Sequence, residues 1–193
     1  MSLKPTLNLP NSLTYFRIVL IPAFVVVFYL PYDWARPASA LVFSAAGITD
    51  WLDGYFARKL GQTSPFGAFL DPVADKLMVA TALVLIVQTD PRLLVALSAA
   101  VIIGREIAIS ALRELMSELG ARHHVAVSKV GKYKTIFQIT ALIMMLYQHD
   151  MLILPMYDLG YGFLLASAIL TLWSMAQYMI SAWPHLSPDD TCD

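Results

Sequence analysis

An all-α bundle that crosses a membrane several times is the fold class the sequence predicts, on three observations. The chain has 193 residues, of which 58% are hydrophobic and only 14% charged, a balance foreign to soluble globular domains. Six apolar stretches approach or exceed the roughly 20 residues that a helix needs to cross a hydrocarbon core. The basic residues fall almost wholly on alternate connections, the pattern that orients helices in a bilayer. Strands are excluded for these stretches, because an open sheet edge cannot be satisfied in lipid.

The expected spans are residues 13–30, 38–60, 66–87, 93–119, 130–147 and 159–183. A juxtamembrane segment, residues 1–12, precedes the first, and a polar tail, residues 184–193, follows the last. Ala38-Ser39-Ala40 mimics a signal-cleavage site. The apolar run before it is longer than a signal core and ends well short of it, so cleavage is not expected. The second and third spans are joined by Gly61-Gln62-Thr63-Ser64-Pro65, where Ser64 reads as an N-cap and Pro65 as the first helical residue. Pro72 lies deeper in the third span, where it removes a backbone hydrogen bond and should kink the helix. The longest inner connection, residues 120–128, carries His123 and His124. Adjacent histidines point to different sides of a helix, which favours a solvated pair over a metal site. No repeat, low-complexity tract or long linker divides the chain, so residues 1–193 are expected to form a single membrane domain. Cys192 is the single cysteine and cannot form an intramolecular disulfide.

With the N-terminus inside, Lys4, Arg17, Arg58, Lys59, Arg113, Arg122, Lys129, Lys132 and Lys134 lie at or near cytoplasmic ends, whereas Arg36 and Arg92 fall outside. Both termini are therefore expected on the cytoplasmic side. The net charge of -1 says nothing about partners, and no feature points to nucleic acid. The one-sided basic distribution favours an anionic ligand or anionic lipid at the inner surface.

Four aspartates interrupt this apolar sequence in the pattern Asp50-x2-Asp53-Gly54-x2-Ala57-Arg58-x8-Gly67-x3-Asp71-x3-Asp75. Intervals of three and four put each pair on one helix face. If the connection around Gln62 turns one helix back along the next, Asp53 comes level with Asp71 and Asp50 with Asp75. Charges at membrane depth are costly and need compensation. Small residues at these spacings can mark plain helix packing, which alone would cover Gly47, Gly54, Ala57 and Gly67. A lone aspartate could pair with Arg58 or Lys76. Four carboxylates at matched depth instead suit hard divalent cations, Mg²⁺ or Mn²⁺, which take substrate phosphates as further ligands. Two such ions would balance four negative charges and serve displacement at phosphorus. Arg58 adds a fork of donors matched to phosphate.

This motif resembles, at all eight fixed positions, the signature of the CDP-alcohol phosphotransferases. Residues 11–17, 66–76, 105–114 and 127–135 resemble the branch of that family whose acceptor is glycerol 3-phosphate, and the likeness runs from about residue 8 to residue 180. The resemblance implies six transmembrane helices in a bacterial cytoplasmic membrane, with the active site on the cytoplasmic side, and a homodimer. It implies transfer of a phosphatidyl group from CDP-diacylglycerol to sn-glycerol 3-phosphate, giving phosphatidylglycerophosphate and CMP. By position, Asp50, Asp53, Asp71 and Asp75 would be metal ligands, and Asp75 would also take the acceptor hydroxyl's proton. Asn11, Thr14, Gly54, Ala57, Arg58 and Ser64 would bind CDP-diacylglycerol.

The choice of acceptor should lie outside the shared motif. Arg105 and Arg113 are eight residues apart on the fourth span, on related faces and about 12 Å apart by helical rise. Lys132 and Lys134 cluster at the start of the fifth, and Arg17 closes the first. These five are the expected phosphate contacts, with Glu106 a structural partner of Arg105 and Lys129 a topological charge. Other acceptors in the family are inositol phosphate, serine and phosphatidylglycerol. A different class, a cation or proton transporter, would also use intramembrane aspartates, but the chain shows no inverted repeat.

Overall fold

The computed structural model describes residues 9–60, 65–118, 129–150 and 154–186. The helices are α1 (Leu9–Phe28), α2 (Ala35–Leu60), α3 (Pro65–Thr89), α4 (Leu93–Glu118), α5 (Lys129–Tyr147) and α6 (Met156–Leu186). All six expected spans are thus helical. Several helices begin before their apolar run. α1 starts at Leu9 with Pro10 in its first turn, where a missing N–H costs nothing, so Asn11 and Thr14 belong to α1. Pro65 opens α3, and α3 continues as one helix through Pro72.

Several serine and threonine side chains within the helices bond to their own backbone, as suits a low-dielectric setting. Ser44 donates to the carbonyl of Ala40 at 2.7 Å, and Ser110 to that of Glu106 at 2.6 Å. Large apolar residues are exposed on every helix, including Val26, Leu41, Val84, Ile107, Ile136 and Ile180. A soluble protein does not present apolar surface so generally; a lipid-facing one must. Leu93–Met116 and Met156–Ser181 are each long and apolar enough to cross a bilayer, and Thr14–Phe28 and Tyr133–Tyr147 form shorter apolar stretches. This is a polytopic, all-α membrane protein.

The chain clusters into two compact units, one of residues 1–90 and 142–160, the other of residues 91–141 and 161–193. In the first, α1 packs on both α2 and α3. Thr14 bonds to Asp71 near the start of both helices, and Tyr29 bonds to Gln88 near the end of both. So α1 runs parallel to α3. Phe24 meets Phe43 at 6.1 Å between ring centroids, and the Arg36 guanidinium lies 4.0 Å over the Phe28 ring. Advancing along α1 therefore means retreating along α2, and α2 runs back against the direction of α3. All helices rise equally per residue, so continuing these pairings down α1 to Thr14 brings the α2 backbone to about residues 50–53. Phe24, Phe43, Ala74, Ala82 and Leu83 form the buried apolar interior of this unit.

In the second unit, α4 touches α6 through Arg105 and Ser174 and touches α5 through Glu106 and Lys134. Phe137 of α5 and Phe163 of α6 pack at 5.3 Å. Ile109, Leu112 and Met116 of α4 form a buried cluster with Tyr178 of α6, flanked by Met175.

Candidate active site

In the first unit, α3 carries Asp71, half-buried, and Asp75, exposed, one turn apart and so on one face. Between them Ala74 is fully buried, which fixes the helix face that turns inward. The hydroxyl of buried Thr14 donates to the Asp71 carboxylate, so a residue expected to bind the donor bonds to an expected metal ligand. Such outer partners hold a ligating carboxylate in place. Arg17 follows Thr14 by three residues on the same α1 face and is 1% exposed. Gly67 is also buried.

The side chains of Asn11, Asp50, Asp53, Ala57, Arg58 and Lys132, together with Gly54 and Ser64 of the expected site, lie outside the described residues, as do those of Lys129, His123, His124 and Cys192. The register of α1, α2 and α3 nonetheless puts the backbone of positions 50–53 at the level of Thr14, and so of Asp71. A divalent cation fits the chemistry of these donors: Asp71 and Asp75 offer hard anionic oxygens, the first held by a hydroxyl and the second on an exposed side chain. At Gly47 an added Cβ would meet nothing within 4 Å among the described residues.

The second unit holds a separate cationic cluster. Arg105 is 8% and Lys134 2% exposed. The Glu106 carboxylate accepts from Arg105 at 3.2 Å and also from the Lys134 ammonium. The other terminal nitrogen of Arg105 donates to Ser174 at 3.3 Å. Ser174 can accept because its own hydroxyl is spent on the carbonyl of Thr171 at 2.9 Å. Buried Tyr178 lies beneath both arginines, its ring 5.5 Å from the Arg105 guanidinium and 5.7 Å from that of Arg113. Its hydroxyl accepts from Arg113 at 3.5 Å. Arg113 itself is exposed. The structure thus brings Arg105, Arg113 and Lys134 into one neighbourhood, as their spacing predicts, and puts Arg17 in the other unit.

Sequence reasoning missed Ser174, Tyr178 and Gln138, the last 4% exposed on α5 one turn beyond Lys134. A buried serine or tyrosine on an apolar helix carries no motif. Gln138 had a signal: an amide four residues after a lysine, inside an apolar span.

Charges buried in this number are expensive unless a ligand or partner repays them. The described part of the first unit thus holds two carboxylates on one face of α3, and the second unit a cluster of two buried cations on one carboxylate. The profile of a family described as CDP-alcohol phosphatidyltransferase matches residues 7–180. A curated protein of Pseudomonas fluorescens named CDP-diacylglycerol–glycerol-3-phosphate 3-phosphatidyltransferase is 54% identical over 184 residues, covering 95% of this chain and 94% of its own. Proteins of the same name from Sodalis glossinidius and Salmonella typhimurium are 51% and 52% identical, each over 91% of this chain and 95% and 94% of their own. With nearly its whole length matched, the chain belongs to the CDP-alcohol phosphatidyltransferase family.

Proposed function

We propose that this protein transfers the phosphatidyl group of CDP-diacylglycerol to sn-glycerol 3-phosphate, the reaction named for its relatives. The observation that carries the acceptor is the buried Arg105–Glu106–Lys134 cluster, which offers a phosphate monoester two cations at a desolvated site. Serine, inositol without a phosphate, or an ion pathway gives no reason to bury both.

Asp50, Asp53, Asp71 and Asp75 would hold two divalent cations, Mg²⁺ or Mn²⁺. When bound, such ions neutralise charge on the donor pyrophosphate and favour displacement at phosphorus. Thr14 fixes the Asp71 carboxylate. Arg58 grips the donor phosphates with its planar fork, while Gly54 and Ala57 leave room for the nucleotide and Asn11 and Ser64 bond to it. Arg105 and Lys134, with Arg113, Lys132 and Arg17, bind the acceptor phosphate and orient the 1-hydroxyl. Asp75, exposed one turn beyond Asp71, takes that hydroxyl's proton. The hydroxyl oxygen bonds to the β-phosphorus, the bond from that phosphorus to the bridging oxygen breaks, and CMP departs with the electron pair. The setting is a bacterial cytoplasmic membrane, with both termini and the site on the cytoplasmic side and the protein acting as a homodimer.

The test is purified protein with radiolabelled CDP-diacylglycerol and a panel of acceptors. Phosphatidylglycerophosphate and stoichiometric CMP from glycerol 3-phosphate alone is the expected result. Preference for inositol phosphate, serine or phosphatidylglycerol would overturn the acceptor. Ion flux in proteoliposomes without CMP release would overturn the class.

A further inference from the structure

We infer that Gln138 and the Nε of Arg105 together read the hydroxyl on carbon 2 of the acceptor, making Gln138 a specificity-determining residue. The inference rests on the glycerol 3-phosphate reading above and adds to it how the glycerol part is recognised.

The argument starts from two buried atoms. The amide oxygen of Gln138 and the Nε of Arg105 are both fully enclosed, and neither has a hydrogen-bond partner among the described residues. Buried polar groups are nearly always satisfied, and an exception calls for a ligand or water. Donors of the same unit are committed elsewhere. Ser167, Thr171 and Ser174 of α6 donate to the carbonyls of Leu164, Ser167 and Thr171 at 2.8, 2.6 and 2.9 Å. The Lys134 ammonium is on Glu106, and the two terminal nitrogens of Arg105 are on Glu106 and Ser174.

Position then gives the ligand's chemistry. Gln138 follows Lys134 by one helical turn and shares its face of α5. That is the face turned to α4 at Glu106, the residue next to Arg105. One unmatched acceptor and one unmatched donor are the complement of a hydroxyl, which donates once and accepts besides. With the phosphate held by Arg105 and Lys134, the hydroxyl nearest to it is the one on carbon 2. The 1-hydroxyl is left for the reaction. Reading the middle hydroxyl also distinguishes sn-glycerol 3-phosphate from its mirror image.

The experiment measures kcat/KM for sn-glycerol 3-phosphate and for 3-hydroxypropyl phosphate, which lacks that hydroxyl, at saturating CDP-diacylglycerol. It uses full-length wild-type protein and the variants Gln138→Leu and Gln138→Met. The wild type should favour glycerol 3-phosphate by about ten- to a hundredfold, the scale at which hydrogen-bonding sites reject analogues lacking a hydroxyl. Both variants should lose most of that preference, through slower use of glycerol 3-phosphate, with 3-hydroxypropyl phosphate changed less than about threefold and donor KM unchanged. Equal loss on both acceptors, loss of donor use in both variants, or an unaltered preference would each overturn the inference while leaving the reaction standing. A wild type that does not use glycerol 3-phosphate would overturn the proposed reaction and this inference with it.

Discussion

Replacing Arg105 by lysine keeps the charge and discards the fork. In the native cluster one terminal nitrogen holds Glu106 at 3.2 Å and the other holds Ser174 at 3.3 Å, so the guanidinium arrives at the acceptor already oriented. A lysine ammonium has one nitrogen. If it stays with Glu106, beside the Lys134 ammonium on the same carboxylate, it leaves both Ser174 and the acceptor phosphate short of a donor. Losing one charged hydrogen bond to the phosphate costs about 1.5–3 kcal/mol, or about ten- to a hundredfold in kcat/KM. The loss should exceed that for neutralising Arg113, which is exposed where Arg105 is buried. The assay is steady-state turnover of detergent-purified protein with glycerol 3-phosphate varied at saturating donor. Lys129→Gln, at an expected topological charge, serves as the comparison and should change little. If Arg105→Lys raised the donor requirement and left acceptor dependence normal, the cluster would not be the acceptor site.

Four further outcomes are expected. Chelation should abolish turnover and Mg²⁺ or Mn²⁺ restore it, with Asp71→Asn lower by orders of magnitude; full activity in excess chelator would end the metal reading. Thr14→Val removes the hydroxyl on Asp71 and should cost about ten- to a hundredfold in metal affinity or activity, read from a metal titration; an unchanged titration would make the contact incidental. Arg58→Lys should weaken use of CDP-diacylglycerol by about 1–3 kcal/mol, whereas Asp75→Asn should still bind metal and donor yet fail to turn over, and retained turnover there would count against its role as base.

The bundle was legible because lipid leaves few options: apolar length, basic asymmetry and the need to satisfy every backbone group all point the same way. The backbone level of positions 50–53 follows from a register that the contacts of α1 with α2 and α3 supply, not from spacing along one helix. What α1 contributes was legible only in part. Thr14 stood out by resemblance, but its bond to Asp71 depends on α1 running parallel to α3, and no local pattern encodes which helices lie side by side. Helix starts were misplaced by a few residues because hydropathy marks lipid contact, whereas helices extend past it into the interface. Arg105 announced itself as a charge in an apolar span. Ser174 and Tyr178, which hold and flank it, did not, since a hydroxyl that can bond to its own backbone is cheap anywhere in a helix.

The carboxylate shared by Arg105 and Lys134 also sets the net charge of their cluster. Two buried cations without it would draw in whatever anion lay nearest, and in a membrane stocked with acidic phospholipids that is a lipid headgroup. Glu106 acts as a resident counterion. It halves the net charge of the empty cluster and removes the need to borrow one. A headgroup bearing a single negative charge then gains little by entering, while a small dianion still gains twice as much as a monoanion in the same field. Glu106 thereby biases the cluster toward a doubly charged phosphate.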